Sequence, residues 1–162
     1  MILNSSLTLF LFLCFSWTYG QSNPAKDSVN PNPNYNPTLT QELGADAYGM
    51  KSYVLVILKT GSNTTKDQEL ISQSFRGHME NMNRMMEDQK LVVAGPFGKN
   101  DNNYRGIFIL QGLENKAEAE DLLQTDPAIK NGLLAYDLYD WYGSAALPVY
   151  LKTADQIWTT KL

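Results

Sequence analysis

The chain has 162 residues, a net charge of −4, one cysteine and one histidine. A lone cysteine excludes an intrachain disulfide, and one Cys with one His is too few for a zinc site built from those residues. The mild acidity, without a dense Lys/Arg cluster, argues against gripping a phosphate backbone, so no nucleic-acid partner is expected.

Residues 1–20, MILNSSLTLFLFLCFSWTYG, carry no charged side chain. The run Leu7–Phe15 has the length of a signal-peptide core and falls short of the ~20 apolar residues that cross a bilayer. Thr18 and Gly20 put small residues where a peptidase cutting before Gln21 needs them. The expectation is a cleaved signal, an exported protein (periplasmic or secreted) and no stable membrane anchor after cleavage. A buried core strand or an uncut anchor is the other reading. Cys14 lies inside the apolar run behind bulky Leu13, which does not suit lipidation. Cleavage removes this cysteine, and thiol chemistry with it.

Residues 21–49 follow as an Asn/Pro-rich spacer. In Asn30-Pro31-Asn32-Pro33-Asn34-Tyr35-Asn36-Pro37 each proline lacks an amide donor and pushes its predecessor toward extended geometry. The spacer is expected to be extended, ending in a turn or helix around Thr40–Tyr48. The folded domain is expected over residues 50–142, with a C-terminal extension over 143–162.

Within the domain, Ser52–Leu58 is aliphatic and β-branched and predicts a buried strand. Asp67–Lys90 predicts a helix, with Leu70, Ile71, Phe75, Met79, Met82, Met85 and Met86 at three- and four-residue steps. Leu91–Ala94 predicts a short strand stopped by Gly95-Pro96, and Tyr104–Gln111 a third strand after a polar loop. Asn115–Thr125 predicts a second helix, capped by Asn115 and broken by Asp126-Pro127. Leu133–Trp141 alternates as a fourth strand, and the tail holds a further amphipathic stretch ending near Trp158. The order βαββαβ is the ferredoxin-like plan: α+β, a four-stranded antiparallel sheet with two helices on one face. The opposite face then needs cover, from a second copy in a homodimer or from the C-terminal tail.

His78 falls on the apolar side of the first helix, beside Ile71, Phe75 and Met82. A buried imidazole needs a hydrogen-bond partner and, when neutral, can accept a proton. It reads either as a satisfied core histidine or as a general acid/base under a pocket, in which case a partner must set its tautomer. Asp126 is the candidate partner, although Asp before Pro is also an ordinary turn residue. The methionines read as core and pocket lining, and no metal is expected. The aromatics of the later strands, Trp141 among them, suit a planar ligand or sheet packing equally well.

A helix bearing His78, then Lys90-Leu91-Val92-Val93-Ala94-Gly95-Pro96, then Asp126-Pro127 and Gly132 before the last strand, resembles the YCII-related (YciI-like) domain family over Ser52–Trp141. The family pattern is a His on the first helix, "AGP" after the second strand and "DP" before the fourth. Gln89 stands where a glycine is common. The signal, spacer and C-terminal extension are atypical of the short members. The resemblance implies a dimeric α/β barrel related to muconolactone-isomerase-like proteins, with an active site in which a His and an Asp share a pocket, here His78 and Asp126. One branch of the family dehydrochlorinates chlorinated hydroxyquinols. The resulting expectation is an exported enzyme without metal or cofactor, of lyase or isomerase type. It would act on a small cyclic or aromatic compound, with Gly95, Pro96, Met82 and Trp141 as substrate-binding residues. A non-catalytic ligand-binding or dimerisation module is the alternative.

Overall fold

The computed structural model describes residues 32–159. The expected export signal and the first part of the spacer, residues 21–31, lie outside the described residues.

The first helix, α1 (Pro37–Leu43), begins inside the Asn/Pro run rather than near Thr40. Asn36 caps it by accepting from the Leu39 amide, and Pro37 occupies the first turn, where a missing donor costs nothing. Gly44, at φ 66°, ends it. Proline density therefore argued against a helix only where proline would fall beyond the first turn.

Strand β1 (Met50–Thr60) extends past the expected span at both ends because β4 (Leu134–Ser144) pairs with its whole length. Helix α2 (Gln68–Glu87) starts at Asp67, whose carboxylate accepts from the Glu69 and Leu70 amides. It stops at Gln89, where φ is 56°. Glycine adopts this left-handed conformation freely, whereas a side chain there costs about 1–2 kcal/mol. The Gln89 carbonyl accepts from the Gln111 side chain, which anchors the turn to the neighbouring strand's end.

Strand β2 (Leu91–Pro96) keeps Gly95 and Pro96 inside it rather than stopping before them. An edge strand tolerates proline at its end because that amide need not join the ladder. Strand β3 (Tyr104–Leu110) and helix α3 (Lys116–Leu123, capped by Asn115) match expectation closely. Asp126-Pro127 breaks α3 and also opens a single-turn helix, α4 (Pro127–Lys130), with Asp126 as its cap.

The four strands run antiparallel in the order β2-β3-β1-β4. Together with the helices they form an α+β, ferredoxin-like fold with a C-terminal helical extension. Side chains alternate across the sheet. Val54, Val56 and Leu58 face the helices and join Phe108, Leu110, Met85, Leu123 and Ala128 in the main core. Tyr53 and Leu55 face the other way, with Ile109, Val92 and Trp141.

That second face is covered at one end only. After β4 the chain makes a 3₁₀ turn (Leu147–Tyr150) and a short helix, α5 (Leu151–Ala154). Leu147 packs onto the Tyr53–Val92–Ile109 cluster. The Tyr150 hydroxyl donates to the Val92 carbonyl at 2.5 Å, capping a backbone group of the edge strand β2 where its register with β3 shifts. Farther along the face Leu55, Ile57 and Ile107 remain partly exposed, and Tyr139 is 51% exposed. The tail is thus part of the cover and leaves the rest open.

Candidate functional site

The buried residues of α2 are Ser74, His78, Asn81 and Met85. Three of these four are polar, at steps of four and three residues, so one line along the helix is polar. That line meets the segment from Thr125 to Asn131. Asn131 donates to the Ser74 hydroxyl at 2.9 Å. Arg84 donates to Asn81 and, at 2.7 Å, to the Thr125 hydroxyl. His78 and Asp126 meet between these two contacts.

Nδ1 of His78 lies 2.5 Å from Oδ2 of Asp126. The carboxylate's other oxygen accepts the Ala128 amide at 2.9 Å, as the cap of α4. Asp126 is fully buried and His78 is 9% exposed. An ionised carboxylate only accepts, so the tautomer of a neutral ring that satisfies this contact carries its proton on Nδ1 and none on Nε2. Nε2 makes no hydrogen bond among the described residues. The ring is held flat against Phe108, centroids 5.9 Å apart and 21° between planes, and edge-on to Phe75 at 6.3 Å.

Gly77 makes the pairing possible at backbone level. A Cβ added there would stand 2.5 Å from Cγ of Pro127, the residue after Asp126. Any side chain at 77 would push α4, and with it Asp126, away from α2.

His78 forms part of the wall of a cavity of about 340 Å³ between α2 and the β2–β3 hairpin. This is within the range of small-molecule sites. Met79, Met82, Phe75 and Phe108 give it an apolar lining, and Gly95, Pro96 and Arg105 border it from the hairpin. Gly106 lets β2 and β3 close up, since a Cβ there would sit 2.6 Å from the Gly95 carbonyl oxygen. Gly95 has open space where its Cβ would be.

His78, Met82, Gly95 and Pro96 therefore come together around one cavity. Asp126 stands behind the ring and does not line it, so it acts on a ligand only through His78. Trp141 does not join them. It lies on the second face with Tyr53, ring centroids 5.4 Å apart, and borders a different cavity of about 320 Å³. The reason is parity: Trp141 pairs with Tyr53, and Tyr53 points away from the side that Val54 and Val56 share with His78.

The partners that sequence reasoning missed are Ser74, Asn81, Thr125 and Asn131, together with Arg105 at the cavity edge. A signal existed for the first two: they stand four before and three after His78, on its own side of the helix. The others depend on how the α3–α4 junction folds back, which helical spacing does not encode. Among the described residues no group of three or more His, Cys, Asp or Glu side chains is arranged to hold a metal ion, and no helix is long and apolar enough to cross a membrane.

The fold and site define an α+β ferredoxin-like domain with a buried His–Asp pair under an apolar cavity. No protein-family model matches the chain, and no curated protein does. A solved structure to which it is similar is the 5-chloro-2-hydroxyhydroquinone dehydrochlorinase (TftG) of Burkholderia phenoliruptrix AC1100, in complex with 2,5-dihydroxybenzoquinone. The identity is 21% and the TM-score 0.37, over 54% of this chain and 92% of that one.

Proposed function

We propose that this protein is a small-molecule enzyme of YCII-like type that moves a proton between a cyclic or aromatic substrate and Nε2 of His78. The observation that carries this reading is the 2.5 Å contact between His78 and Asp126 with the imidazole in a cavity wall. A core histidine needs only a partner. This one has its partner on one nitrogen and a ligand-sized space beside it.

In the reaction a C–H or O–H proton of the substrate passes to Nε2, and the electron pair stays on the substrate. The imidazolium so formed lies against the Asp126 carboxylate, which stabilises its charge and holds the ring in one orientation. The substrate's electron pair can then expel a leaving group, which gives a lyase, or take the proton back at another carbon, which gives an isomerase. Neither course calls on a metal or cofactor.

Two further properties belong to the same reading. The uncharged run at residues 1–20 supports export, to periplasm or medium. The partly exposed apolar side chains around Leu55 and Ile57 support pairing of two copies through the second face. Leu55→Asp is expected to turn a dimer into a monomer in sedimentation, and a wild-type protein already monomeric at working concentration contradicts the pairing.

The catalytic reading is tested by solvent-deuterium incorporation and product formation over a panel of cyclic ketones, lactones and hydroxyquinols. His78→Ala should lower the rate at least ~100-fold. Wild-type-like turnover in that variant contradicts the mechanism. Tight binding with no turnover of any panel member identifies a binding module instead.

A further inference from the structure

Beyond Pro96 and Arg105 the His78 cavity borders a second one of about 340 Å³, which both residues also line, together with Lys99, Asn100 and Tyr104. No carboxylate lines either cavity. The residues of formal charge that do are Arg105, at both cavities, and Lys99, at the second, in a chain whose net charge is −4. Several other cations have partners. Lys59 and Lys116 pair with Asp137 and Asp140, Lys90 donates to the Gly112 carbonyl, and Arg84 donates to Asn81 and Thr125. The Arg105 guanidinium and the Lys99 ammonium make no hydrogen bond or ion pair among the described residues. The nearest opposing charge in sequence is Asp101, on the same loop and outside the lining of both cavities.

We infer that the ligand of the His78 cavity is an organic anion: an apolar ring carrying one carboxylate or comparably acidic oxygen. The ring occupies the space among Phe75, Met82 and Phe108, and the anionic group reaches the Arg105–Lys99 side. A guanidinium matches a carboxylate with two parallel N–H donors, which a neutral ligand cannot use equally well. The assignment rests on the reading of this cavity as the ligand site, and deepens it. It also suits proton abstraction, because charge left on the substrate by transfer to Nε2 is favoured by nearby cations.

The single histidine makes the test direct. In a chain without a histidine tag, every imidazole NMR signal belongs to His78. Benzoate and phenylacetate are titrated against their neutral counterparts, benzamide and phenylacetamide. The acids are expected to move the His78 signals with affinity about tenfold above the amides. That preference should fall to about twofold or less in Arg105→Gln, fall less in Lys99→Gln, and weaken with added salt. Amides that move the signals as effectively as the acids overturn the anion assignment while leaving the cavity a ligand site. An acid preference unchanged in Arg105→Gln overturns the role of that residue. If neither acids nor amides move the signals at millimolar concentration, the ligand-site reading falls and the inference falls with it.

Discussion

The two faces of the sheet are built from the same strands and do different things. On β1 the residues Val54, Val56 and Leu58 look toward the helices, and Tyr53 and Leu55 look away. Both sets are apolar, and strand composition does not distinguish them. Their covers do. The first face receives α2, which brings a polar line with His78 at its middle. The second receives a short tail that brings Leu147 and the Tyr150 hydroxyl. A ring-rich surface is therefore not the same as a reactive one: Tyr53 and Trp141 pack against each other, whereas His78 sits between Phe108 and a carboxylate.

The largest effect is expected on the first face. Asp126→Ala leaves both Nδ1 of His78 and the Ala128 amide without a buried partner. It should destabilise the fold by about 2–5 kcal/mol in urea denaturation, from two buried donors left unsatisfied. Asp126→Asn should cost clearly less, since its carbonyl oxygen can still accept. Equal losses in the two variants would mean that packing, not hydrogen bonding, holds this junction.

Gly77→Ala is the next. Its Cβ meets Pro127 at 2.5 Å, and overpacking of that kind costs about 1–3 kcal/mol, against the ~1 kcal/mol that alanine gains over glycine within a helix. The His78 signals should shift with it, because α4 carries Asp126. Gly95→Ala, which points into open space, is the control for the fold.

On the second face Trp141→Ala should cost about 1–2 kcal/mol of packing, less than a fully buried aromatic. It should leave the His78 signals and ligand affinities unchanged. A shift of those signals would mean that the two faces are coupled rather than independent.

The smallest effect concerns the turn before β1. Hydrogen bonds from Tyr142 first, and from the Met50 and Tyr48 amides, hold the Asp46 carboxyl below its ordinary value of 3.8. A lowered folded value means stability that is present above pH 3.8 and lost as pH falls through the lowered value. Asp46 is exposed, so Asp46→Asn should flatten the acid limb of the stability curve only slightly and leave its neutral plateau in place.

Much of this was legible in the sequence. The βαββαβ order followed from β-branched runs and from the methionine periodicity of α2, and Asp67 and Asn115 marked helix starts through their capping chemistry. His78 stood out as the one imidazole on an apolar helix side, and Asp126 as its candidate partner. What the sequence hid depends on tertiary geometry. Trp141 looked like a pocket residue until strand pairing assigned its parity. The Asp126–Ala128 cap was concealed by a helix one turn long, and the hold of Pro127 on Gly77 by the crossing of two helices. Arg105 gave no local sign, because its significance comes from the cavities that meet beside it.

Everything proposed for the cavity depends on Nδ1 of His78 donating to Asp126 and leaving Nε2 free to take a proton. Long-range ¹H–¹⁵N correlation of the single imidazole tests it most directly. The expected result for the neutral ring is a protonated Nδ1 and an unprotonated Nε2, with the Nδ1 proton downfield and slow to exchange, and loss of that proton signal in Asp126→Ala. A neutral ring protonated at Nε2, or an Nδ1 proton indifferent to Asp126→Ala, would contradict it.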